Sequence, residues 1–92
     1  MRPRDPAELA RSALLWLAGR PDDLGRLLAE SGLGPADLRA RADDPVLLGF
    51  VLDFVLADEA RLRAFAEAEG VAPDAPLRAR AALPGGDAPH WT

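Results

Sequence analysis

The chain is 92 residues long, carries no cysteine, and sets eleven arginines, with no lysine, against fifteen acids for a net charge of −4. Its length admits one domain with one core, burying roughly 60–65% of the unfolded surface; the lack of cysteine excludes disulfides, thiolate metal sites and thiol nucleophiles. The acidic balance argues against a phosphate-dominated partner, and a 49% hydrophobic share is that of a globular chain.

Residues 1–5, with two arginines and a proline around Arg2 to Asp5, predict a frayed amino terminus. No long apolar run or small-residue cleavage site follows, so a cytoplasmic protein is expected. A first helix begins at Pro6, with Glu8 near its positive end, and presents Leu9, Ala13, Trp16 and Leu17 on one face. Gly19-Arg20-Pro21 breaks it. Pro21-Asp22-Asp23 starts a second helix with buried face Leu24, Leu27 and Leu28, closed by Gly32, with Leu33 packing back. Pro35 opens a short third helix through Leu38 and Ala42, and Asp44-Pro45 caps and starts the fourth.

The fourth, Pro45 to Ala57, is apolar nearly all round, with only Asp53 charged. At about 12 residues it is too short for a bilayer, which needs roughly 20, and predicts the central helix of a core. Asp58 then caps a fifth helix through Leu62, Phe65 and Ala66, closed by Gly70 with Val71 behind it. A last short helix follows, with Asp74 as its cap, Leu83 as its last apolar residue and Pro84-Gly85-Gly86 as its stop; residues 85–92 form an irregular tail.

The pattern recurs. A shift of 38 places Ala13, Leu14, Trp16 and Leu17 on Val51, Leu52, Phe54 and Val55, and Gly32, Leu33 and Pro35 on Gly70, Val71 and Pro73. With one more residue, Leu38-Arg39-Ala40-Arg41-Ala42 matches Leu77-Arg78-Ala79-Arg80-Ala81. This register predicts two similar three-helix units around a pseudo-twofold, sharing one core. The plainer reading is that an alanine- and arginine-rich helical sequence matches itself by chance.

Asp53 is the candidate with most chemistry: a carboxylate on an apolar helix acts as acid or base when desolvation raises its pKa. Against this, Gly49, Asp53 and Ala57 share one strip at spacing four, which reads as the solvent edge of the helix, or as a close helix contact across a homodimer rather than a monomer's surface. His90 is the sole histidine and has no Cys or His partner for a metal. Trp91 beside it either packs on its own domain or anchors a partner. Arg39 and Arg41, with Arg78 and Arg80, sit in equivalent short helices and bring to mind a helix-turn-helix reader of nucleic acid. The simpler reading has them lying over the core and pairing with acids such as Asp37, Asp43 and Asp44. No glycine-rich phosphate loop and no Ser-His-Asp set is present, so no enzyme, cofactor or metal is expected.

Four blocks, Ala13 to Ala18, Ser31 to Arg39, Val51 to Glu59 and Ala82 to Gly86, resemble a small alphaproteobacterial helical family known only as a domain of unknown function. The resemblance spans about Glu8 to Trp91; it implies a compact helical bacterial protein and supplies no activity, ligand or catalytic residue. The expected fold is all-α, a bundle of about six short helices in a single domain over residues 1–92. The expected function is a protein-interaction or regulatory module with a protein partner and no membrane. The other reading is a nucleic-acid-binding regulator. The candidate partner-binding residues are Trp91, Asp53, Arg39, Arg41, Arg78 and Arg80.

Overall fold

The computed structural model describes residues 5–83. They form six helices: α1 (Pro6–Ala18), α2 (Pro21–Ser31), α3 (Pro35–Ala40), α4 (Pro45–Leu56), α5 (Glu59–Glu69) and α6 (Ala75–Ala82), with no strand among the described residues. All but α5 carry a proline in the first two positions. There the missing N–H would have had no intrahelical acceptor, and the fixed φ is already helical.

Aspartates supply most of the amino-terminal caps. Asp44 accepts from Val46 N at 2.9 Å, and Asp58 from Arg61 N at 3.1 Å, as expected from the sequence. Asp5 was assigned to a frayed end, yet its carboxylate accepts from the backbone of Ala7 and Glu8 at 3.1 and 3.2 Å and makes it the first fixed residue of α1. Asp74 makes no capping bond to α6. Its backbone is already helical (φ −81°, ψ −10°), and a side chain caps from an extended backbone.

Gly32 and Gly70 end α2 and α5 in the left-handed region, at φ 74° and 69°. An L side chain meets its own carbonyl there, so glycine is the residue that turns the chain without strain. At Gly70 the next N–H, of Val71, reaches back to the Ala66 carbonyl at 3.0 Å and closes the turn.

The core is built on the α1–α4 pair. From α4 it takes Leu47, Leu48, Gly49, Val51, Leu52, Phe54 and Val55, and from α1 Leu9, Ala10, Ala13 and Leu17. α5 and α6 pack against both of these helices, whereas α2 packs against α1. The expectation of a central α4 therefore holds with α1 sharing its place. Trp16, expected in the buried face, is half-buried at its rim.

Adding 38 to the bounds of α2, 21–31, gives 59–69, the bounds of α5; α1 moves in the same way to 44–56, against 45–56 for α4. The third helices part company. α6 packs on α1 and α4, while α3 has no comparable partner helix and is held by one buried side chain, Leu38.

Candidate functional site

α4 and α6 meet where α4 has no side chain. Gly49 is buried, and a Cβ built on it would lie 2.8 Å from Nη1 and 3.1 Å from Cζ of Arg80. With only hydrogen at that position, the guanidinium lies across the helix, and its Nε donates to Asp53 Oδ1 at 2.7 Å. The strip read as a solvent edge is thus covered at Gly49, half-covered at Asp53 (55% exposed) and open only at Ala57. The Asp53 carboxylate is half in water and engaged by an arginine, which fits the reading of the strip as an edge of the helix. What the pair does is pin α6 onto α4.

The other arginines nominated by the sequence do not gather with Arg80. Arg78 lies 3.6 Å from Asp74 one turn before it on the exposed face, a pairing worth a few tenths of a kcal/mol. Arg39 and Arg41 are exposed and form no ion pair among the described residues, and the nearby Asp43 is taken by Arg11 at 3.4 Å. Among the described residues, pairing with acids therefore describes Arg78 and Arg80 and not Arg39 or Arg41. His90 and Trp91 lie outside the described residues.

A second cluster, which the sequence did not disclose, ties together four helix ends. Arg61 is 8% exposed, and its Nη1 donates to the Phe54 carbonyl at 2.6 Å. That carbonyl is among the last four of α4, which have no intrahelical donor, so a cation here both satisfies it and meets the negative end of the helix dipole. The guanidinium carbon also lies 3.9 Å from the Phe54 ring centroid. Asp23, in the first turn of α2, stands 3.5 Å from Arg61 Nε and accepts from Arg20 Nε at 2.7 Å. Arg20 in turn lies 4.5 Å over the ring of Trp16, which stands 5.4 Å from Phe65.

The hydrogen bond from Arg20 is the main reason that the Asp23 carboxyl sits below the usual carboxylate range; burial works against it, and the charge of Arg61 adds to it. Arg61 Nε has no hydrogen-bond partner among the described residues, with Asp23 3.5 Å away as its ion-pair partner. The available signal was Arg61 standing four residues before Phe65, on the same stripe of α5.

The described residues hold no group of three or more His, Cys, Asp or Glu side chains placed to take a metal, and no helix among them is long and apolar enough to cross a membrane. Fold and site together define a small all-α bundle whose two ionic clusters join helix to helix. The family described as "Protein of unknown function (DUF3572)" matches residues 3–86, and the chain belongs to that family. No curated protein and no solved structure matches the chain.

Proposed function

We propose that the chain is a non-catalytic helical module that binds a protein partner in the cytoplasm. The observation that supports this reading is the solvent placement of three large apolar side chains on three helices. Leu15 of α1 is 74% exposed, Val46 of α4 69% and Leu77 of α6 59%. Single exposed leucines are ordinary on any surface, so the weight rests on their contrast with the arginines. Arg61 and Arg80 are turned into the fold and hold helices together. We also read the chain as two related units. In the 38-residue register Asp23 and Arg61 are counterparts that face each other, and Trp16 and Phe54 are counterparts that each carry an arginine on the ring.

The test is capture of partners by the tagged full chain, with and without nuclease, beside the variants Leu15→Asp, Val46→Asp and Leu77→Asp. A protein retained through nuclease and lost with one of these folded variants supports the reading; a set indifferent to all three overturns it. The nucleic-acid reading has one observation in its favour, the exposure of Arg39 and Arg41, which form no ion pair among the described residues. Binding that vanishes with nuclease and weakens steeply with salt would move the assignment there.

A further inference from the structure

We infer that α6 is a strap that opens and closes over the α1–α4 core while the rest of the bundle stays folded, a property that goes beyond the interaction reading and does not depend on it. Three features of α6 lead to this. It is eight residues long, and an isolated helix of that length does not persist in water, so only docking keeps it helical. Its amino end has no side-chain cap, and the turn that leads into it, residues 70–74, contains no buried residue to anchor it.

Its grip on the core also differs in kind from that of its neighbours. α6 buries only Pro76 and Ala79, with Leu83 just beyond its end, whereas α5 inserts Phe65 and α1 inserts Leu9 and Leu17. These small side chains allow close approach and offer little apolar area. Its polar contacts include Arg80, itself 14% exposed, laid over Gly49 and bonded to Asp53, whose carboxylate is 55% exposed. Water can take over that carboxylate as the pair separates, so release strands no buried charge. Arg61, on the neighbouring residue Phe54 at the carboxyl end of α4, is 8% exposed and donates to a backbone carbonyl that has no intrahelical donor. Opening of α6 bares the Gly49 side of α4, and closing covers it again.

Native-state amide hydrogen exchange of the full chain, followed residue by residue in low urea, tests the inference. The expected result is that amides 78–83 exchange at least tenfold faster than those of Leu17, Leu52 and Val55, with a much weaker dependence on urea. Asp53→Asn should speed exchange in 78–83 about threefold and leave Leu17 and Leu52 unchanged, since an ion pair whose carboxylate is half in water contributes a fraction of a kcal/mol to about 1. Exchange of α6 at the same rate and urea dependence as α1 and α4 would show that it leaves only when the whole domain unfolds, and would overturn the inference. So would an Asp53→Asn variant in which α6 is unaffected, or in which every helix accelerates equally.

Discussion

Replacing Asp23 with asparagine removes the only carboxylate within ion-pair distance of Arg61 among the described residues, and leaves a guanidinium that is 8% exposed without a counter-charge. Breaking a fully buried pair from one side costs about 3–5 kcal/mol. Two features reduce that here: the Asp23 side chain is 18% exposed, and Arg61 keeps its 2.6 Å bond to the Phe54 carbonyl. The expected loss is about 2–3 kcal/mol, a large part of the roughly 5–10 kcal/mol available to a domain of this size. With a urea dependence of about 1–1.5 kcal/mol per molar, the unfolding midpoint should fall by about 2 M. Arg61→Met, which keeps the apolar stem over Phe54 and removes the charge, should also destabilise, because a carbonyl at the end of α4 loses its donor. The double variant should lose less than the sum by about 1–2 kcal/mol, since neither residue then strands the other. Acidity supplies a second readout. Asp23 in the folded chain binds its proton less readily than in the unfolded one, so its contribution is complete above the ordinary carboxylate pKa and is lost as pH falls through the lowered value. The stability gap between the parent chain and Asp23→Asn should be flat above about pH 5 and narrow below about pH 4. A midpoint within about 0.3 M of the parent, additive variants, or a gap that widens in acid would refute the reasoning.

Truncating the core should be severe: Leu52→Ala or Phe54→Ala removes a side chain buried at the α1–α4 contact, costs about 2–5 kcal/mol, and is checked by thermal melting followed by circular dichroism. Two glycine-to-alanine changes should move stability in opposite directions in the same melting assay. Gly25→Ala, in mid-helix with nothing within 4 Å of the new methyl, should gain about 0.5–1 kcal/mol; Gly70→Ala, held at φ 69°, should lose about 1 kcal/mol. At Gly49 the obstacle to a methyl is the tip of the flexible Arg80 side chain, so Gly49→Ala should stay within about 1 kcal/mol of the parent. Gly49→Leu should expel Arg80 and destabilise by about 2–3 kcal/mol, as read from urea unfolding.

What was legible in the sequence is what the chain writes locally. Pro6, Pro21, Pro35 and Pro45 announce helix starts because a proline's effect is confined to its own turn, and Gly32 and Gly70 announce ends because the left-handed turn needs glycine wherever it falls. Capping by Asp44 and Asp58 is likewise settled within three residues. Asp5 caps a helix where a frayed end was expected, and Asp74 stands at the N-cap position of α6 without a capping bond, for one reason: the bond depends on whether the backbone at that residue is extended or already helical, and residue type does not report it. The two ionic clusters lay beyond local reading. Asp23 and Arg61 are 38 positions apart, Asp53 and Arg80 are 27, and their pairing exists only once α2 stands near α5 and α6 lies on α4. The hydrophobic pattern gave Gly49 and Asp53 a shared strip, which was correct, and gave no sign of what covered it.

The difference between α3 and α6 follows from that covering. The same Leu-Arg-Ala-Arg-Ala block lies wholly within α6, whereas α3 ends at Ala40 and leaves Arg41, which the alignment of the block places opposite Arg80, just beyond the helix. The 38-residue shift makes Arg11 and Leu15 of α1 the counterparts of Gly49 and Asp53 of α4. Where α4 offers an arginine a bare backbone and a carboxylate, α1 offers a second guanidinium and an apolar side chain. Like charges and the lack of an acceptor give Arg41 no reason to settle there, and Arg11 turns instead to Asp43. Arg41 accordingly stays in water, and Leu15, which a docked third helix would have covered, is 74% exposed. The same five residues thus occur in a docked and in an undocked segment, and what differs around them is the end of α3 at Ala40 and the pair of side chains that α1 presents where α4 has Gly49 and Asp53.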